Sequence, residues 1–199
     1  MLDYTRMSDL NIFLQETESI DYKNPIIVEQ INLLKAKSPS VIDYIKNAYE
    51  FVRDEISHSW DVKANIVSKN ASEVLINKTG ICWTKSCLLA ALLRGNRIPS
   101  GISYQKLTRA DDASDGYIIH ALNTVYIRDL DKWIRLDARG NKATVHAQFS
   151  TEEEILAFSA RPEFGEVDYI DNNPDLDKRL VEILHTVDVV MNIRTDFDL

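Results

Sequence analysis

Cys82 stands where a glycine turn meets an apolar run, in Gly80-Ile81-Cys82-Trp83-Thr84-Lys85-Ser86-Cys87-Leu88-Leu89-Ala90-Ala91-Leu92-Leu93. A cysteine in the first turn of a helix faces the positive end of the macrodipole, which favours the thiolate, the nucleophilic form. His120 follows 38 residues later in the strand-like run Ile118-Ile119-His120-Ala121-Leu122. Asp137 comes 17 residues after that, closing Trp133-Ile134-Arg135-Leu136-Asp137. A base that takes the thiol proton and a carboxylate that orients the base complete a Cys-His-Asp set. Each residue also has a plainer use. A free cysteine is most often a small buried hydrophobe, and a lone histidine on an apolar face a hydrogen-bonded core residue. An aspartate ahead of Ala138-Arg139-Gly140-Asn141 can simply end a strand. Their order on helix, strand and strand favours the chemistry.

Acyl transfer also requires donors aimed at the tetrahedral oxygen. The Cys82 backbone N–H, at the helix start, is the first. For the second, His58 and Trp60 in the segment before the cysteine and Gln105 on the following strand are all candidates. Trp83 reads as a wall of the cleft. Cys87 lies about 140° round the helix from Cys82 and reads as core.

These groups need elements to position them. Asn24-Pro25 reads as N-cap and N1 of a helix to about Lys37, and Ser38-Pro39 repeats the signal. In the second helix Val41, Ile45, Ala48, Val52 and Ile56 share one face. Ser57 to Asp61 breaks the pattern and reads as a loop, and Ala71 to Leu75 as a short helix stopped near Gly80. The Cys82 helix should run to about Arg94, apolar almost all round and hence central. Ile102 to Leu107 reads as a strand, Thr108 to Gly116 as a polar turn-rich stretch, and Tyr117 to Arg128 as a long strand. Asp129 to Lys132 then turns the chain into Trp133 to Asp137. Leu10 to Leu14 reads as extended, Ser150-Thr151-Glu152-Glu153 has capping-box spacing, and Asn173-Pro174 opens a last helix to about Asn192. The fold class is α+β: N-terminal helices and a central Cys-bearing helix packed on an antiparallel sheet.

Gly-x-Cys-Trp at a helix start, His-Ala in a strand and Trp-x-x-x-Asp-Ala in the next resemble the transglutaminase-like superfamily, which shares a papain-like core with cysteine proteases. The resemblance covers about residues 40 to 150, and the whole chain is similar to small, single-domain bacterial members. It implies a cysteine hydrolase or acyltransferase acting on a peptide, protein or small amide substrate. Either water or an amine would resolve the acyl-enzyme; a short chain without lid insertions favours water. The alternative is a non-catalytic binding or scaffold module on the same fold. Three positions depart from the family pattern. Leu122 stands where a tryptophan often follows His-Ala, Arg139 where a threonine often follows Asp-Ala, and Arg97-Ile98-Pro99 replaces Gly-Ile-Pro. The glutamine that papain-like proteases place six residues before the cysteine is here Ile76.

The 199 residues suffice for one substantial core, so residues 1–199 are expected to form a single domain. A net charge of −8 argues against nucleic acid or an anionic membrane as partner. There is no run of 18 apolar residues and no basic-then-apolar leader at Met1, which points to the cytoplasm. The two cysteines lie roughly 7.5 Å apart along one helix axis, beyond disulfide reach, which fits a reducing compartment. The four histidines show no metal-ligand spacing, so neither a metal nor a cofactor is expected.

Overall fold

The structure is a computed structural model that describes residues 9–110, 113–169 and 171–195. α1 (Pro25–Lys35) starts on Asn24, whose side chain accepts from the Ile26 N–H. α2 (Val41–Glu55) is capped by Ser40, which accepts from Asp43 N–H. Ser38 does not take that place, because its hydroxyl donates to the Leu34 carbonyl and closes α1 instead. β1 (Ser57–His58) corrects the loop expected there: it pairs in parallel with β2 (Thr79–Gly80), His58 opposite Gly80. Between them, α3 (Ala71–Asn77) is capped by Asn70 and ends on Lys78, whose left-handed φ of 52° turns the chain into β2.

α4 (Cys82–Gly95) follows directly, and every residue from Cys82 to Arg94 is buried. Its polar side chains therefore need partners inside the protein. Lys85 Nζ donates to the Ile56 carbonyl at 2.5 Å and Ser86 Oγ to the Ala121 carbonyl at 3.2 Å. The Arg94 guanidinium donates to the carbonyls of Gln15, Ser100 and Pro174.

α4 packs on a four-stranded antiparallel sheet formed by β3 (Ser100–Thr108), β4 (Tyr117–Ile127), β5 (Lys132–Leu136) and β6 (Val167–Asp168), in the order β5-β4-β3-β6. The β3–β4 register sets Gln105 opposite His120. Arg135 on β5 donates to both Glu154 and Asp168, fastening the 147–168 segment across the sheet.

Three terminal expectations are corrected. Leu10–Leu14 is a 3-10 helix started by Asp9, not an extended segment. Ser150 accepts from the N–H groups of Glu152 and Glu153, but Ile155 then bridges to Gln148 and no helix follows. The last helix, α5 (Lys178–Thr186), starts on Asp177, since Asn173 is held extended by two backbone hydrogen bonds to Ile102; Val190–Asn192 is a separate 3-10 turn. Asp111 and Asp112 of the turn-rich stretch lie outside the described residues. No helix among the described residues is long and apolar enough to cross a membrane.

Gly80 sets how closely β2 lies on α3 and α4. A Cβ there would sit 2.8 Å from Thr84 Oγ1 and 3.1 Å from Val74 Cγ2. Gly80→Ala is therefore expected to overpack this junction and cost about 1–3 kcal/mol of stability. Urea unfolding would register it as a lower midpoint with an unchanged slope.

Candidate active site

The site lies where the N-terminus of α4 meets β4. His120 Nε2–H donates to Asp137 Oδ2 at 2.8 Å, and Cys82 lies beside the same ring, close enough for its sulfur to favour the imidazolium. Cys82 is 9% exposed, His120 2% and Asp137 1%, so only the sulfur side of the trio opens toward solvent. Asp137 is held from three directions. Oδ2 also accepts from the Ala157 N–H at 3.0 Å, and Oδ1 from the Arg139 N–H at 3.2 Å. The Phe158 ring meets the His120 ring edge-on, with centroids 5.2 Å apart at 89°. The imidazole is thus fixed by the hydrogen bond to Asp137 and an aromatic edge across it.

Burial works against a charged His120, but the Asp137 carboxylate and then Cys82 outweigh it and raise the imidazolium to about 10. Burial likewise opposes the Asp137 carboxylate, yet His120 and the two backbone N–H donors hold it below its usual range. His58 is driven the opposite way. Burial comes first, then the Arg139 charge, with Lys85 and His120 adding to it; together they hold His58 well below an ordinary histidine. Burial and Arg139 also bring Lys85 down to about 7.

A cleft of about 620 Å³ opens over Cys82, lined by His58, Trp60, Ile119, His120, Arg139 and Phe158. The segment after α5 links two of these residues. Its Val190 carbonyl accepts from Trp60 Nε1–H at 3.3 Å, and Thr195 Oγ1 accepts from the Ile119 N–H at 3.1 Å. Trp83 lines the cleft with its indole N–H given to the Ile119 carbonyl at 2.7 Å.

Cys82, His120 and Asp137 therefore come together, and His58, Trp60 and Trp83 line the same cleft. Gln105 does not. Although it is opposite His120 in register, it sits behind Phe158, donates to the Phe158 carbonyl at 3.4 Å and lines a separate depression with Arg135 and Asp168. Cys87 is fully buried, and burial pushes its thiol up. Of the three departures from the family pattern, only Arg139 lines the cleft, whereas Leu122 is core. Phe158 and the Ala157 N–H escape sequence reasoning altogether. They lie in irregular chain with no periodicity, brought over the site by the Arg135–Glu154 pair.

A family profile described as the transglutaminase-like superfamily matches residues 30–138, more than half of the chain. With this fold and this arrangement at the head of α4, the chain belongs to the transglutaminase-like superfamily. Among solved structures it is similar to a Cytophaga hutchinsonii protein described as a "putative cysteine protease", at 17% identity and a TM-score of 0.55. That match covers 66% of this chain and 42% of the other, so the chain spans well under half of that protein. A structure described as a TGase aligns at 19% identity over 71% of this chain and 37% of its own, with a TM-score of 0.44. A Parabacteroides distasonis protein described as a "putative protease" aligns at 15% identity over 63% and 25%, with a TM-score of 0.41. No curated protein matches significantly.

The two cleft histidines should differ in charge at the same pH. A raised His120 keeps its proton above the ordinary value of 6.5 and loses it only near 10, whereas a lowered His58 stays neutral even below 6.5. In ¹⁵N NMR of the imidazole rings near neutral pH, His120 should report the imidazolium and His58 a neutral ring. Asp137→Asn should bring the His120 titration down, since that carboxylate is the largest contribution raising it.

Proposed function

We propose that the protein is a cysteine-dependent acyl-transfer enzyme in which Cys82 is the nucleophile, His120 the general base and Asp137 the residue that orients His120. The observation that carries this reading is the single buried imidazole placed between a thiol and a carboxylate at the base of an open cleft. His120 takes the Cys82 proton on the ring nitrogen facing the sulfur, giving a thiolate–imidazolium pair that the Asp137 carboxylate steadies. The sulfur attacks the carbonyl carbon of an amide or ester, and the carbonyl π electrons move to oxygen. The Cys82 N–H at the uncapped start of α4 donates to that oxyanion. As the carbonyl re-forms, the C–N or C–O bond breaks and the leaving group takes the proton from His120. Water or an amine, deprotonated by His120, then attacks the thioester and returns Cys82. Water makes the protein a peptidase or amidase, an amine a transglutaminase. The cysteine-protease description of the C. hutchinsonii neighbour is in keeping with amide substrates.

The two cysteines give the test. Iodoacetamide at about pH 6, well below the pKa of roughly 8.5 of a free cysteine, is expected to label Cys82 and spare Cys87. p-Nitrophenyl acetate should leave an acetyl group on the peptide that carries Cys82. Cys82→Ala should abolish both reactions. His120→Ala should slow acylation by about 10²-fold or more. Equal labelling of both thiols, or none until the protein unfolds, would refute the catalytic reading and leave the non-catalytic module.

A further inference from the structure

The acyl-transfer reading leaves one donor to find, because a backbone N–H alone makes an incomplete oxyanion hole. Several side chains with N–H groups lie near Cys82, and most are committed elsewhere. Trp60 gives its indole N–H to Val190, and Trp83 gives its own to Ile119. Arg139 is locked in a two-pronged pair with Asp61, whose carboxylate also takes Lys142. Arg161 is bound to Glu166. Gln105 is turned toward Phe158, outside the cleft.

His58 is different. It lines the cleft at 6% exposure, and its Nδ1 is buried with no hydrogen-bond partner. The parallel β1–β2 pairing holds it opposite Gly80, two residues before Cys82, and the start of α4 carries no side-chain cap. Nε2 has no hydrogen-bond partner among the described residues either, yet it is not sealed, so it is the ring nitrogen left to face the cleft. The His58 ring meets Trp60 edge-on, with centroids 6.0 Å apart.

We propose that His58 is a catalytic residue of this chain, donating its Nε2–H as the second hydrogen bond to the oxyanion. The proposal rests on the acyl-transfer reading of Cys82. An unpartnered buried lone pair is less costly than an unpartnered buried N–H, so the proton belongs on Nε2 and leaves Nδ1 as the sealed acceptor. Neutrality suits the task. A cationic His58 would compete with His120 for the Cys82 thiolate, whereas a neutral donor interacts most strongly with the negative oxygen that forms on attack. No proton moves to or from His58 in the step. The carbon–sulfur bond forms, the carbonyl π pair becomes the oxyanion lone pair, and the two N–H groups hold it until the leaving group departs with the His120 proton.

The test compares two reactions of the same sulfur. Acylation by p-nitrophenyl acetate passes through an oxyanion; displacement of iodide from iodoacetamide does not. His58→Phe, which keeps an aromatic ring and removes the donor, should lower the acylation rate about 10²–10³-fold while alkylation of Cys82 proceeds at the wild-type rate. His58→Gln, which returns an N–H, should recover part of the acylation. Unchanged acylation in His58→Phe would overturn the proposal and leave the acyl-transfer reading standing. A parallel loss of acylation and alkylation in the folded variant would also overturn it, by placing His58 in activation of the thiol. If His58→Phe does not fold, His58→Ala with added imidazole makes the same comparison. Restored acylation supports the role, and failure to restore it overturns it. If the wild-type protein is alkylated but never acylated, the acyl-transfer reading itself falls, and the role of His58 falls with it.

Discussion

A helix with no face toward water must find an internal partner for every polar group it carries, and α4 is such a helix from Cys82 to Arg94. The solution places backbone carbonyls of surrounding elements where its side chains can reach them. Lys85 takes the end of α2 at Ile56, Ser86 takes β4 at Ala121, and Asn123 returns a hydrogen bond to the Ser86 carbonyl at 2.9 Å. Arg94, at the far end, gathers the chain before α1, the start of β3 and the chain before α5. Satisfying one buried helix thus fixes the position of nearly every other element. It also fixes the cysteine, because the tip of a helix clamped at both ends cannot move relative to β4. The His120 ring meets the Cys82 thiol as a consequence of core packing.

The second consequence is electrostatic. Two histidines share one cleft in a protein of net charge −8, yet their surroundings push them in opposite directions. His120 is buried against a carboxylate, and the Coulomb attraction overcomes desolvation. His58 is buried among cations, with Asp61 opposing them, and desolvation wins. Arg139, the foremost of the cations that hold His58 neutral, is kept in place by Asp61. That carboxylate therefore acts on His58 both directly and by seating Arg139.

The trio at the site was legible because Cys82 and His120 sit on regular elements with strong local patterns and Asp137 directly follows one. Gly80 before an apolar run marks the start of α4, and alternation places His120 on β4 and Asp137 at the residue that follows the adjacent β5. What was not legible has physical reasons. The β1–β2 pair is only two residues long and rests on backbone hydrogen bonds between segments some twenty residues apart, so no side-chain period announces it. Phe158 and Ala157 reach the site through an ion pair between Arg135 and Glu154, a contact no local pattern encodes. Ser150 makes the hydrogen bonds of a cap, but tertiary pairing of Ile155 with Gln148 takes the backbone groups a helix would need. Gln105 shows the converse limit. Its register opposite His120 is a backbone fact, while the direction of its side chain is decided by Phe158.

The walls of the cleft obey a different rule from its floor. They are irregular segments joined by ion pairs: Arg139 to Asp61, Arg161 to Glu166, and Arg135 to Glu154 and Asp168. Each pair sets a buried or half-buried guanidinium against a carboxylate that holds it at two points or more, a geometry that fixes direction as well as distance. Partly exposed pairs of this kind add little to global stability. Their effect is local, since each ties one wall segment to a neighbour that the sheet or α4 already holds. Glu166 also accepts from the Thr108 N–H and hydroxyl, which seats the end of β3 beside the Arg161 turn. Carboxylates thus meet most of the cations facing the cleft, while Trp60, Trp83 and Phe158 supply its aromatic surface. The floor is held by packing and the walls by directional charge pairs, so the shape of the cleft can vary with the wall residues while the cysteine, histidine and aspartate stay where the core puts them.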